Sequence, residues 1–137
     1  EIMFSTNAVK AVIVYDNKIL LLEKQLTDQD NIWDLPGGLV EKGESDLDAL
    51  NREVFEELGL NLNCVWDNIG YWTFVRIYDS KVISVTNYLC ELTNVLECIE
   101  LSDEHISFKW IYPEEIFSLR VKDKSLLQNI ASYFNIN

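Results

Sequence analysis

Residues 8–15, Ala-Val-Lys-Ala-Val-Ile-Val-Tyr, form an apolar stretch that predicts a strand. Asp16-Asn17 suits a tight turn, and residues 18–23 read as a second strand, so the two predict a hairpin. Residues 25–31 are polar and predict a loop. Residues 32–35 form a short extended piece that runs into Pro36-Gly37-Gly38, where two glycines after a proline predict a turn open to close approach. Ser45 is a good helix N-cap, and Asp48 completes an approximate capping box. Leu47, Leu50, Val54 and Leu58 then recur at helical spacing, and Gly59 is placed to end the helix. Residues 62–92 are rich in β-branched and aromatic side chains and predict a second hairpin divided near Asp79-Ser80. A polar loop over 101–106, a strand over 108–112, a helix opened by Pro113, and an amphipathic helix over 123–134 complete the pattern. In that last helix Leu126, Leu127, Ile130 and Phe134 are expected to face inward.

Strands, helix, strands, helices in that order predict an α+β fold, an α/β/α sandwich around a mixed β-sheet. The 137 residues fit a single domain over 1–137. No apolar run approaches the ~20 residues of a membrane helix, and no secretory segment is evident, so no membrane partner is expected. The 23 acidic and 11 basic residues give a formal charge of −12, which disfavours polymeric nucleic acid and anionic membrane as partners. Cys64, Cys90 and Cys98 form neither a CxxC pair nor an even set, and a reducing cytoplasm is the simplest compartment.

The predicted helix carries the chemistry. Glu53, Glu56 and Glu57 share one face, where like charges repel, and they lie in the half of the helix whose dipole disfavours anions. Clustered carboxylates are what hard divalent cations require, although an acidic triplet is also a common solvated face. Arg52 is placed to orient one carboxylate through a bidentate pair. Glu44 precedes the helix beside the glycine turn, which can offer a backbone carbonyl.

The triplet does not stand alone. From Gly38, five residues lead to Glu44 and seven more to Arg52-Glu53, followed by Glu56-Glu57 and Gly59. With each fixed residue at about 5–7% usage, a chance match is on the order of one in ten million. The segment from Gly38 to Leu60 resembles a complete Nudix box, and the chain is identified as resembling the Nudix hydrolase family of MutT-like proteins. Trp33-Asp-Leu-Pro-Gly-Gly38 resembles the segment that leads into the box. Ser102-Asp-Glu-His105, Phe108-Lys-Trp110 and Pro113-Glu-Glu115 resemble the family's C-terminal stretch.

The resemblance implies a Nudix-type sandwich that hydrolyses a nucleoside diphosphate linked to another moiety, using Mg²⁺ with Mn²⁺ as the alternative. It implies Glu53, Glu56, Glu57 and the Gly38 carbonyl as metal ligands, and Arg52 as the group that orients Glu53. Glu44 would support the helix start or reach the metal through water. The general base is a box glutamate or a loop acid, for which Glu104 is the candidate; its neighbour His105 reads as a loop hydrogen-bonder, and Glu41 as an outer acid. For the substrate, Trp33, Gly37 and Tyr78 are the expected contacts, with Tyr71, Trp72 and Phe74 as further aromatics able to stack on a base. The proline that marks ADP-ribose enzymes is absent, Tyr78 sits slightly off the register of the dinucleoside polyphosphate tyrosine, and no coenzyme A signature is evident.

The resemblance therefore favours a nucleoside triphosphate or an oxidised nucleotide as substrate. ADP-ribose, a nucleotide sugar or a dinucleoside polyphosphate is the alternative. From other classes stand a catalytically silent nucleotide sensor and an acidic structural domain. The oligomeric state, monomer or homodimer, is left open.

Overall fold

The computed structural model describes residues 5–92, 99–122 and 124–136. Its strands are β1 (Ser5–Tyr15), β2 (Lys18–Gln25), β3 (Asn31–Asp34), β4 (Gly37–Leu39), β5 (Leu62–Val75), β6 (Val82–Leu92) and β7 (Ser107–Ile111). Helices α1 (Asp46–Leu58) and α2 (Lys124–Tyr133) and a 3₁₀ turn (Pro113–Ser118) complete the fold. The sheet is mixed and seven-stranded, in the order β3-β2-β1-β6-β5, with β4 added to β1 and β7 to β2. β1 and β6 run parallel, from Ser5 against Val82 to Val14 against Glu91.

Strand periodicity sorts the core into two layers. Val9, Ala11 and Ile13 of β1 and Leu20 and Leu22 of β2 point to one face, where Ala49, Leu50, Val54 and Leu58 of α1 cover them. Val12, Ile19 and Leu21 point to the other, beneath Ile116 of the 3₁₀ turn and Leu126 and Ile130 of α2. The result is the α/β/α sandwich expected from the pattern. Leu47 departs from its stripe: it is 48% exposed, at the outer margin of α1. Leu127 and Phe134 are only partly buried beside the second layer. Asp123, the first residue of the last expected helix, lies outside the described residues, as does Cys98; Cys90 is buried.

The local signals for α1 are all used. Ser45 Oγ accepts from the Asp48 N–H while the Ser45 N–H donates back to Asp48. Gly59 adopts φ +70° and its N–H closes on the Phe55 carbonyl. Asp16 and Asn17 both take positive φ in the β1–β2 turn, between the pairs Val14–Ile19 and Tyr15–Lys18.

Pro36-Gly37-Gly38 is more than a turn. Gly37, Gly38 and Leu39 form β4, paired antiparallel with Lys10, Val9 and Ala8. Gly37 has φ +146°, and a Cβ there would meet the Val9 carbonyl oxygen at 2.0 Å. Only glycine permits this approach, which brings β4 across to the polar side of α1.

Candidate active site

Arg52 organises the acidic helix. Its Nε and Nη2 donate to the two oxygens of Glu44 at 2.7 and 2.9 Å, a bidentate fork. Nη1 donates to Glu53 at 2.9 Å and reaches Glu56 at 3.4 Å, and Nη2 also donates to the Leu39 carbonyl of β4. The Arg52 hydrogen bond, with help from the Glu41 N–H, holds the Glu44 carboxyl down at about 2. Both Glu44 oxygens therefore face Arg52, just before the helix start. Arg52 thus links Glu44 before the helix, Glu53 on it and Leu39 of β4.

Glu53 and Glu57 meet consecutive residues of β4. A Cβ on Gly38 would lie 2.5 Å from the Glu53 carboxylate, so the missing side chain is what makes room for it. The Gly37 N–H donates to Glu57 Oε1 at 2.8 Å. The other oxygen of Glu57 stands 3.3 Å from His105 Nε2, and both side chains are more than nine-tenths buried. Burial pushes the Glu57 carboxyl up to about 7; the Gly37 N–H and Lys10 counter it, and Glu53 and Asp34 add to it. Burial also raises Glu53 against the pull of Arg52. Burial lowers the His105 imidazole, with Lys24 adding to the effect. Glu56, by contrast, projects outward, its side chain 56% exposed.

The loop that carries Glu104 and His105 is tied to the end of α1. Backbone N–H groups of Glu100 and Ser102 donate to the Leu58 and Glu57 carbonyls, which have no partner within the helix. The Ile106 N–H donates to Glu23 of β2. These ties set Glu104 and His105 in the lining of a cavity of about 420 Å³.

Gly37, Gly38, Asp34 and Glu57 form the acidic end of that cavity. Ala8, Trp72, Phe74, Ile83 and Val85 form an apolar wall on the sheet. Lys10, Lys24, Arg76 and Lys122 also line it, four of the chain's eleven basic residues. Lys10 donates to Asp34 at 2.9 Å and to the Leu35 carbonyl. Burial penalises its charge, but Asp34 outweighs that and raises it. Lys122 is placed by its backbone, whose N–H donates to the Trp33 carbonyl while the Trp33 N–H donates to Arg120.

The cavity gathers Gly37, Gly38, Glu57 and Glu104 from the expected set, with Glu53 against Gly38 behind it. It does not gather Trp33 or Tyr78. Trp33 is partly buried against the second core layer. Tyr78 is 79% exposed on the β5–β6 turn, where Arg76 stacks on its ring. The basic lining was not anticipated. Its members come from four separate segments, and no local spacing signals their convergence.

Among the described residues, no three acidic, histidine or cysteine side chains already stand close enough to cage a metal ion. Glu53 is turned to Arg52, and Glu57 to Gly37 and His105. The donor chemistry nevertheless fits a hard cation. Buried Glu57 and partly buried Glu53 both resist ionisation, Glu53 adding to the rise at Glu57, and a divalent ion held by them would reverse that cost.

Comparison with known proteins accords with this geometry. The NUDIX domain model matches residues 5–130. The CTP pyrophosphohydrolase of Escherichia coli is 47% identical over 53 residues, 38% of this chain and 39% of that protein. The nucleoside triphosphatase NudI of Salmonella arizonae is 33% identical over 110 residues, 70% of this chain and 74% of the relative. A NUDIX hydrolase from Nitrosomonas europaea has a solved structure with a TM-score of 0.81 and 22% identity, over 96% of this chain and 90% of that one, a likeness of fold. The chain belongs to the NUDIX domain family.

Proposed function

We propose that the chain hydrolyses a phosphoanhydride bond of a nucleoside triphosphate or a closely related nucleotide derivative. One observation carries the reading: the buried Glu57 of α1, with the glycine strand against which Glu53 packs, lines a cavity that pairs basic side chains with an apolar wall. A polyphosphate needs cationic partners, and a nucleoside needs apolar surface. A chain of charge −12 that gathers four basic groups in one cavity has the means to hold a small anion without attracting polymeric nucleic acid. The names of the two relatives, a CTP pyrophosphohydrolase and a nucleoside triphosphatase, support the same substrate class.

In this reading Glu53, Glu56, Glu57 and the Gly38 carbonyl hold Mg²⁺ or Mn²⁺. A divalent cation there would neutralise the phosphates, polarise phosphorus and acidify an attacking water. Arg52, itself fixed by Glu44, keeps Glu53 turned toward Gly38. Lys24, Lys122 and Arg76 bind phosphate oxygens along the cavity. Glu104, in its lining, takes the proton of the water as the new oxygen–phosphorus bond forms and the bridging bond breaks.

The decisive experiment is a panel of nucleoside triphosphates, oxidised deoxynucleotides, ADP-ribose, dinucleoside polyphosphates and nucleotide sugars, assayed with Mg²⁺ and with Mn²⁺. The expected outcome is turnover of a triphosphate to monophosphate and pyrophosphate. Binding without turnover under either metal would replace the enzyme with a nucleotide sensor.

A further inference from the structure

Arg76 ends the cavity-lining row that Trp72 and Phe74 begin on β5, at the start of the turn into β6. Its guanidinium is clamped by two residues that do not line the cavity, Asp79 and Tyr78. Nε donates to Asp79 Oδ1 at 3.0 Å and Nη2 to Asp79 Oδ2 at 2.5 Å, a bidentate fork. The guanidinium carbon lies 4.6 Å from the ring centroid of Tyr78. The Arg76 hydrogen bonds hold the Asp79 carboxyl down at about 2, with the Lys81 N–H adding to the effect, so the pair stays charged at working pH. The turn closes without this clamp: the Arg76 N–H donates to the Lys81 carbonyl, and the Ser80 N–H to the Arg76 carbonyl, both at 2.8 Å. An ion pair this exposed adds little to stability. Nη1 has no partner among the described residues, so the outer edge of the guanidinium, Nη1 with the second proton of Nη2, is open.

With a polyphosphate in the cavity, the reading on which this rests, we infer that Asp79 and Tyr78 are positioning residues for Arg76. They act on the substrate only through it. Asp79 takes one edge of the guanidinium and Tyr78 one face, which leaves the outer edge to meet phosphate oxygens. A phosphate pairs best with two parallel N–H groups, and that edge supplies them. A free arginine on a turn would lose its rotamer freedom on binding, and the clamp removes that cost beforehand. The sign of this role is opposite to that of plain charge. Asp79 places a negative charge beside the phosphate-binding group, so on Coulomb's law alone its removal would tighten an anion. As an orienting group, its removal loosens one. The same role accounts for Tyr78, which lies outside the cavity yet packs on the turn residue that lines it.

The test is Asp79→Asn, which keeps an oxygen for the Lys81 N–H and removes the charged fork. Two readouts are compared: steady-state kinetics on the preferred nucleoside triphosphate, and the calorimetric Kd of inorganic tripolyphosphate without divalent metal. The expected result is an about tenfold rise in KM with kcat nearly unchanged, and an equal rise in the tripolyphosphate Kd. Tyr78→Leu is expected to raise both by about two- to fivefold. A fall in KM or Kd for Asp79→Asn, the outcome of charge alone, would overturn the assignment, and so would no change.

A double-variant cycle separates positioning from a part in the turn alone. Arg76→Lys keeps the charge, loses the fork, and is expected to raise KM at least about tenfold. Adding Asp79→Asn to Arg76→Lys must then cost no more than about a further twofold, because the orienting group has nothing left to orient. Full additivity overturns the assignment, as does a lowered urea midpoint for Asp79→Asn with KM and Kd unmoved. If the wild type turns over no nucleotide, the hydrolase reading fails by itself, and the tripolyphosphate titrations still decide the roles of Asp79 and Tyr78. A wild type that does not bind tripolyphosphate overturns those roles too.

Discussion

A Cβ on Gly38 would stand 2.5 Å from the Glu53 carboxylate, whereas one on its neighbour Gly37 would strike the Val9 backbone at 2.0 Å. The two glycines therefore serve different ends. Gly38→Ala is expected to displace a flexible side chain and to abolish most activity, with a stability loss of under about 1 kcal/mol. Gly37→Ala forces a side chain into positive φ and against β1, and is expected to cost about 2 kcal/mol or more. Denaturant melts of both variants, read beside hydrolysis rates, check the contrast.

The turn residues were legible in the sequence as glycines; the strand they form was not. A three-residue strand has no periodicity of its own, and β4 exists because β1 offers it an edge. The caps of α1, both hairpins and the acid spacing were legible because each is encoded within a few neighbouring positions. Lys10, Lys24, Arg76 and Lys122 lie far apart in the chain and meet only after the sheet forms. Tyr78 lies outside the cavity because the long β5–β6 hairpin carries it to an exposed turn.

Glu57→Gln should separate stability from activity. Glutamine keeps an acceptor for the Gly37 N–H and removes a carboxyl that burial has pushed up to about 7. Above pH 7 the metal-free variant is expected to melt higher than the wild type, while hydrolysis falls at least about a hundredfold. A variant with near wild-type turnover would remove Glu57 from the metal site.

The pH dependence has a defined sign. A carboxyl raised from 4.5 to about 7 on folding contributes stability that is complete below pH 4.5 and is lost as pH rises through 7. The loss amounts to about 3 kcal/mol by pH 8. Divalent metal should restore it, so the Tm gained on adding Mg²⁺ is expected to be large at pH 8 and small at pH 5. Glu44 works in the opposite direction: its contribution is present above pH 4.5 and is lost as pH falls toward 2. Calorimetric scans with and without Mg²⁺ across this range check both signs, and a metal gain independent of pH would contradict the first.

Arg52→Lys tests the positioning network. Lysine keeps the charge but cannot present the fork that binds both Glu44 oxygens and Glu53 together. The variant is expected to lose about 1–3 kcal/mol of stability and to fall in kcat more than it rises in KM, since Glu53 and not the substrate is released. Urea melts and steady-state kinetics separate these effects.

His105→Ala should weaken divalent binding about tenfold, because the imidazole is the side chain that faces the second oxygen of Glu57. Isothermal titration with Mn²⁺ measures this directly. An unchanged Kd would return His105 to a role in the loop alone.

The long parallel pairing of β1 with β6 also bears on how the chain is made. Ser5 finds its partner only at Val82, and Val14 only at Glu91, so during synthesis β1 leaves the ribosome well before β6 does. Until then the edge that β6 will cover is open to any passing strand, and β1 can pair only with β2 and the three-residue β4. Such distant pairing favours slow folding and a window for aggregation. Cellular yield of this protein should therefore respond to chaperone supply and growth temperature more than its finished stability would suggest.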